Sequence, residues 1–186
     1  ESIVVPNGTM GQRWEKDVKW NIKLETADGT KIDPAMTIKD KGHEVVEVVF
    51  PFFDNAGNGT FKRPIAAKKV TLDDGTEQYV ATIYDLMLSQ YGVNRFNTDL
   101  EAKDYDDESS IYTPAWQEKI TGVKPSIVVQ VGREFAQNAI DTGGRSMIIM
   151  GAGINHWFNS DTIYRSVLNL VTLCATQGVN GGGWAH

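Results

Sequence analysis

Residues 145–186 read RSMIIMGAGINHWFNSDTIYRSVLNLVTLCATQGVNGGGWAH, and the fold class turns on how they are read. The stretch holds two arginines and one aspartate among otherwise uncharged or histidine side chains. A segment that sparse in charge belongs to an interior. Met147-Ile148-Ile149-Met150 is a continuous apolar run, which predicts a central parallel strand buried on both faces. Gly151-Ala152-Gly153 follows, then Asn155-His156-Trp157. Ser160-Asp161 is placed to cap a helix from Thr162 to about Thr176, with Ile163, Val167, Leu170, Val171 and Cys174 as its core side. Gly178 and the run Gly181, Gly182 and Gly183 end it, ahead of Trp184-Ala185-His186. Ligands of open α/β sheets bind beyond the carboxyl ends of strands. Small residues there let a ligand approach the backbone, and the N–H groups opening a helix favour an anion. The turn over 151–161 is therefore where a ligand is expected.

Each feature also has a plain structural reading. GAG is not GxGxxG, and glycines after a strand commonly mark a tight turn. An isolated histidine such as His156 fits a satisfied core position. A triple glycine is commonly a hinge, and Trp157 and Trp184 suit packing as well as stacking. Cys174 lies on an apolar helix and reads as structural. Spacing alone ends at an α/β domain with a turn suited to an anionic ligand.

Upstream of Arg145 the signals are helical back to residue 82. Thr82 is an N-cap, Ile83, Leu86, Met87 and Tyr91 share a face, and Gly92 is the stop. Residues 99–108 hold six acidic side chains and one lysine, a pattern that matches no EF-hand loop and reads as a solvated surface loop. Thr113-Pro114 opens a short helix with Trp116 and Ile120 facing inward. Thr121-Gly122-Val123 breaks it, and Pro125 starts a helix with Ile127, Val128, Val131 and Phe135 at helical spacing. Residues 1–81 read as β-rich. Trp20–Leu24 alternates, Asp28-Gly29 turns, and Glu44 to Phe50 is a strand expected to stop at Pro51. A loop is expected over 54–60. Lys68–Leu72 and Thr76–Ala81 form a hairpin about Asp73-Asp74-Gly75. The expected organisation is a β-rich portion over 1–81 and an α/β portion over 82–186.

Composition narrows the class. The chain has 186 residues, 41% of them hydrophobic, and a formal net charge of −6. That describes a folded globular chain, and the negative balance argues against nucleic acid as a partner. Cys174 is the sole cysteine, so this chain by itself makes no internal disulfide, cysteine-rich zinc site or iron–sulfur cluster. The longest apolar run falls far short of a membrane span. The opening at Glu1 and the abrupt glycine-rich end read as a piece of something longer.

A resemblance runs through the same residues. RSMIIMGAGINHW, Tyr164-Arg165, Asn169 and GGGWAH are similar to the catalytic alpha subunit family of membrane-bound respiratory nitrate reductases. The likeness continues upstream through Pro6-Asn7-Gly8, Arg13-Trp14, LDDGTEQYVATIYDLMLSQYGV, YTPAWQEKITGV and GREFAQNA. The YTPAWQEKITGV block resembles the wider molybdopterin oxidoreductase (DMSO reductase) superfamily. At Phe158-Asn159 the chain departs from the Tyr-His common in the nitrate reductase branch.

The resemblance implies an internal part of a larger catalytic subunit, inactive alone, with a parallel-sheet, dinucleotide-binding-like α/β fold. It implies a molybdenum bis(molybdopterin guanine dinucleotide) cofactor and a 4Fe–4S cluster held elsewhere in the subunit. The implied reaction is two-electron oxygen-atom transfer from nitrate, giving nitrite; related branches act on selenate, chlorate or perchlorate. Implied partners are an iron–sulfur beta subunit and a membrane haem b gamma subunit. They would hold the enzyme on the cytoplasmic face of the membrane, or facing outward in some archaea. Carried over by residue, His156 matches the family's histidine beside molybdenum. Asn155 and Trp157 would line the pterin side, and Gly151 and Gly153 would admit the cofactor to the backbone. Gly181, Gly182, Gly183, Trp184 and His186 would lie by its pterin or dinucleotide portion. Arg165 would pair with a phosphate or carboxylate, or form a salt bridge inside the domain.

Overall fold

The computed structural model describes residues 37–52, 59–72 and 74–186. The strand expected over Trp20–Leu24, with its turn, lies outside the described residues, as does Asp73. The chain divides into two compact units, Glu1–Trp116 and Gln117–His186. The order is β1 (Glu44–Phe52), β2 (Gly59–Thr71), β3 (Glu77–Val80), α1 (Ile83–Gln90), α2 (Pro114–Thr121), α3 (Pro125–Thr142), β4 (Met147–Ile149), α4 (Ala152–Asn155), α5 (Ser160–Leu173) and β5 (Gly183–Ala185). This is a mixed α/β chain. Among the described residues no helix is long and apolar enough to cross a membrane.

Unit 1 is built on an antiparallel sheet ordered β1-β2-β3. Its pairings include Glu44 with Ala67, Pro51 with Thr60 and Lys68 with Val80. The expected hairpin about Asp74-Gly75 is present. The expected stop at Pro51 is not, because β1 is an edge strand, where a missing N–H breaks no ladder bond. Thr60, expected in a loop, already belongs to β2. Pro64 inside β2 is tolerated for the same reason: β3 pairs only with residues 68–71, and the Pro64 carbonyl is taken by Ser89 Oγ of α1 at 2.9 Å. Ile65, Ala67 and Ala81 form the core, with Val46, Val48 and Leu86 packed on them.

Thr82 caps α1 as expected, its hydroxyl accepting from Asp85 N–H at 2.9 Å. The expected apolar face is partly the inward one: Leu86 packs on the core and Met87 and Tyr91 are half-buried, while Ile83 is exposed and the fully buried positions of the helix are Asp85 and Ser89. Asp85 is fully buried and accepts from Thr37 Oγ1 (2.5 Å), Arg95 Nη1 (2.6 Å), Thr82 Oγ1 (2.8 Å) and Ile38 N–H (3.0 Å). Burial pushes this carboxyl up, but the bonds from Thr37, Ile38, Arg95 and Thr82 outweigh it and hold the group below the ordinary carboxylate range. The loop 99–108 is likewise not wholly solvated. Glu101 is buried and accepts from the N–H groups of Arg95, Phe96 and Thr98.

Unit 2 rests on β4 paired in parallel with β5, Met147 opposite Gly183 and Ile149 opposite Ala185. The closing glycine run is thus partly a strand. β4 is expected to be covered on both faces, yet in the chain Met147 is exposed and Ile149 is 78% exposed. Among the described residues this sheet has two strands, and α5 packs against both, so the side carrying Met147 and Ile149 is left open. The inward positions expected on the preceding helices are also open. Ile120, Ile127 and Val131 are exposed, and Val128 and Phe135 are half-buried. Gly143, at φ 66°, closes α3 in the left-handed conformation. The start of β4 is tied to α3 by Ser146 Oγ, which donates to Phe135 O (2.9 Å) and accepts from Asn138 Nδ2 (2.8 Å). In α5, Val171 is fully buried, Ile163, Val167 and Cys174 are half-buried and Leu170 faces solvent. The expected Ser160-Asp161 cap is replaced by Asn159, whose side chain makes no capping bond; Ser160 is the first helical residue.

Candidate functional site

The carboxyl ends of β4 and β5 lie side by side because the strands are parallel. The chain leaves β4 through Met150, which is buried and donates its N–H to Ala185 O at 2.9 Å. Gly151 then sits at the N-cap of α4 and His156 at its C-cap. A Cβ added at Gly151 or Gly153 would meet nothing within 4 Å, so the backbone here is open. The terminal glycines are placed differently. A Cβ on Gly182 would stand 2.0 Å from Gly144 O, so that residue is explained by backbone packing within the unit. Gly183, at φ 87°, donates its N–H to Ser146 O at 3.0 Å and starts β5.

Four side chains converge at this end of the sheet. Tyr164, from α5, donates its hydroxyl proton to Asn155 Oδ1. Asn155 Nδ2 lies 3.1 Å from His186 Nε2. Tyr164 meets the Trp184 ring edge-on with centroids 5.7 Å apart, and stacks on the His186 ring at 6.0 Å. Trp184 and His186 are in edge contact at 6.1 Å. Asn155, Trp184 and His186, expected on sequence grounds, are therefore brought together. His156 and Trp157 are not part of the cluster. Both are exposed, Trp157 at 69%, and neither side chain has a hydrogen bond among the described residues. Gly181 has the Arg145 side chain as its neighbour, 4.0 Å from where a Cβ would stand.

Tyr164 is the member that residue-by-residue reading did not single out. Its signal is helical spacing: residues 164, 167 and 171 share a face, and the last is fully buried, so Tyr164 is aimed toward the sheet. The Nε1–H of Trp184 is buried with no acceptor among the described residues. A buried donor left unmatched costs about 1–3 kcal/mol. Unit 1 holds a separate cleft of about 500 Å³, lined in part by Arg63, Asn94, Asp99, Glu101 and Lys103. Burial pushes the Arg63 guanidinium down, partly offset by Tyr112 and Glu101.

Residues 24–186 match the molybdopterin oxidoreductase family. The chain belongs to that family. It is 53% identical over all 186 residues to the nitrate reductase alpha chain of Bacillus subtilis, of which it covers 15%. It is 39% identical over 194 aligned residues to the respiratory nitrate reductase 1 alpha chain of Escherichia coli, covering 99% of this chain and 16% of that one. A stretch covering 40% of this chain is 40% identical to the perchlorate reductase subunit alpha of Dechloromonas aromatica, covering 7% of that subunit. The chain thus spans about one-sixth or less of the length of these relatives.

The family implies a molybdenum–pterin cofactor, and the residues at the end of β4 fit such a group. Such a group carries carbonyl and phosphate acceptors. The site offers an open two-glycine backbone, the amide of Asn155, two imidazoles and the buried, unmatched indole N–H of Trp184.

Proposed function

We propose that the chain is an internal part of the catalytic subunit of a molybdenum-dependent respiratory nitrate reductase, contributing one side of the cofactor pocket and inactive alone. The likeness to a protein named nitrate reductase alpha chain, carried across every residue at 53% identity, is the observation that supports this most. The functional division is the expected one, a β-rich portion over 1–81 and a cofactor-binding α/β portion over 82–186. The cofactor is a molybdenum bis(molybdopterin guanine dinucleotide), with a 4Fe–4S cluster in the remainder of the subunit. When bound, the cofactor supplies the exchange in which nitrate, two electrons and two protons become nitrite and water.

This chain's residues bind, orient and donate. Gly151 and Gly153 let the cofactor lie against the backbone at the end of β4. Asn155, Trp157, Trp184 and His186 line it, with Gly181, Gly182 and Gly183 forming the adjacent wall. His156, exposed beside them, donates a hydrogen bond to the oxyanion and stabilises charge developing on its oxygens. Electrons arrive from an iron–sulfur beta subunit fed by a membrane haem b gamma subunit, at the cytoplasmic face of the membrane.

The test uses the full-length parent. His156→Ala is expected to lower nitrate turnover with reduced viologen by about 10²–10³-fold, the usual effect of losing one charge-stabilising donor, while molybdenum content stays normal. Wild-type turnover would remove His156 from the chemistry. A parent that binds no molybdenum would replace the reading with a non-catalytic anion- or nucleotide-binding module. The likeness to perchlorate reductase supports a second oxyanion reading, so selenate, chlorate and perchlorate belong in the same assay. Faster turnover of any of them than of nitrate would reassign the substrate.

A further inference from the structure

α4 is weakly secured by its own backbone. It has four residues, Ala152–Asn155, and Gly151 before it makes no side-chain capping bond. Ala152, Gly153 and Asn155 are exposed, and Ile154 is half-buried. Nothing stands within 4 Å of the Cβ position of Gly151 or Gly153, so no neighbour wedges that backbone in place. A single turn of helix is not stable by itself. Yet α4 carries His156 at its C-cap and so delivers that imidazole to the end of β4.

Asn155 is the one residue of the four with a polar side chain, and its amide is met from two sides. The Tyr164 hydroxyl, on α5, contacts Oδ1. His186 Nε2, just past β5, lies 3.1 Å from Nδ2 and 3.5 Å from Oδ1. A hydroxyl, an amide and an imidazole each have more than one hydrogen-bonding arrangement, so the tether holds whichever way the amide faces. The posts of the tether are themselves braced. Tyr164 meets Trp184 edge-on at 5.7 Å, stacks on His186 at 6.0 Å and shares its helix face with fully buried Val171. Trp184 is fixed in β5, opposite Ile148 of β4.

We propose that Tyr164 is a positioning residue: braced by Trp184 and His186, it holds α4 through Asn155 and so sets where His156 stands. The hold on α4 is a matter of this chain's own contacts. Its consequence for turnover rests on the reading under Proposed function.

The experiment uses the full-length parent. Tyr164→Phe removes the hydroxyl and keeps the ring against Trp184 and His186. Hydrogen exchange of the peptide spanning 151–157 should then accelerate about two- to tenfold, the factor that one net hydrogen bond represents, while the peptide around Val171 is unchanged. Asn155→Leu cuts the tether from the other end and loses the His186 contact too, so it should accelerate 151–157 at least as much. Adding Tyr164→Phe to it should change nothing further, because Tyr164 acts through Asn155. Unchanged exchange in both single variants, or additive accelerations, would overturn the proposal. Acceleration around Val171 in Tyr164→Phe would report a loosened α5, and Asn155→Leu would then decide whether the tether exists.

Nitrate turnover per bound molybdenum gives the second arm. A misplaced group can cost about 10²-fold. Tyr164→Phe should lower kcat and kcat/KM together by about tenfold or more, as for a group that acts in the transition state. In a His156→Ala background the same substitution should cost less than about twofold, because the residue it positions is gone. A loss in that background as large as in the wild type would overturn the proposal, since Tyr164 would then act elsewhere. So would wild-type turnover of Tyr164→Phe beside a loss in His156→Ala. Wild-type turnover of His156→Ala would instead sink the catalytic reading, leaving the exchange arm to judge the hold on α4.

Discussion

The two units handle their least soluble groups in opposite ways. In unit 1 a fully buried carboxylate, Asp85, is surrounded by four donors, and buried Glu101 gathers three backbone N–H groups. In unit 2 the apolar side chains Ile127, Val131, Ile140 and Ile149 lie open, and Phe158 is 98% exposed. Unit 1 buries the middle of β2, Arg63 to Ala67, on both faces, and Val46, Val48 and Leu86 pack on Ile65, Ala67 and Ala81. Val45, Val49 and Ile83 stay exposed there too. Parallel strands are normally covered on both faces, and in unit 2 α5 packs against β4 and β5 while Met147 and Ile149 stay exposed. Unit 2 is consistent as part of the larger subunit that the relatives' length implies.

The largest effect expected is in unit 1. Asp85→Ala removes the acceptor and leaves the Arg95 guanidinium buried without its partner, since the two side chains are 10% and 0% exposed. Breaking such a pair from one side costs about 3–5 kcal/mol. Hydrogen exchange of the α1 amides should accelerate by the corresponding factor. Acceleration of less than tenfold would mean that the network is looser than its distances imply, and the contrast with unit 2 would weaken.

A second, smaller effect tests the other side of the comparison. Ile149→Ser should change the stability of the chain itself by no more than about 0.5 kcal/mol, as for an ordinary surface site. In the full-length parent the same substitution should cost about 1.5–3 kcal/mol, the value of a buried aliphatic side chain. Thermal or urea unfolding of both proteins measures it. Equal, small losses would mean that this face of β4 meets water in the parent too.

How far the sequence could be read follows the same division. The α/β class, the 68–81 hairpin, the Thr82 and Thr113 caps and the parallel strand at 147–149 rest on local signals: alternation, turn residues and capping side chains. Those signals act within a few residues, so they survive whatever surrounds them. Burial does not. Met147–Met150 looks like a buried central strand because its composition reflects a complete sheet, and among the described residues it pairs with β5 alone. Asp85 and Glu101 went the other way. Their burial depends on Thr37 and Arg95, and on a backbone loop, none of which spacing reveals. In the cluster at the end of β4, Asn155, Trp184 and His186 were named through likeness to the family and do lie together, whereas Tyr164 required the helix face to be fixed by Val171. Gly182 was legible as a glycine, but the structure assigns it to packing against Gly144.

The finest test concerns acid. Asp74, Asp85 and Asp107, three carboxylates held below the ordinary range, all lie in unit 1. Asp107 is held at about 2, first by the Ser109 hydroxyl at 2.6 Å, then by the N–H groups of Lys103 and Ser109 at 3.1 and 3.0 Å. A carboxyl with a lowered folded-state value contributes stability that is complete above its unfolded value, about 3.9, and is lost as pH falls through the folded one. The loop over 99–110 should therefore keep its amide protection at pH 5 and lose it between about pH 4 and pH 2. Ser109→Ala removes the leading bond and should move the Asp107 midpoint up toward the ordinary carboxylate value, so that loss begins at higher pH. The carboxyl-carbon NMR titration of Asp107 in both proteins reads this directly. A midpoint unmoved by Ser109→Ala would transfer the effect to the backbone N–H groups, which the substitution leaves in place.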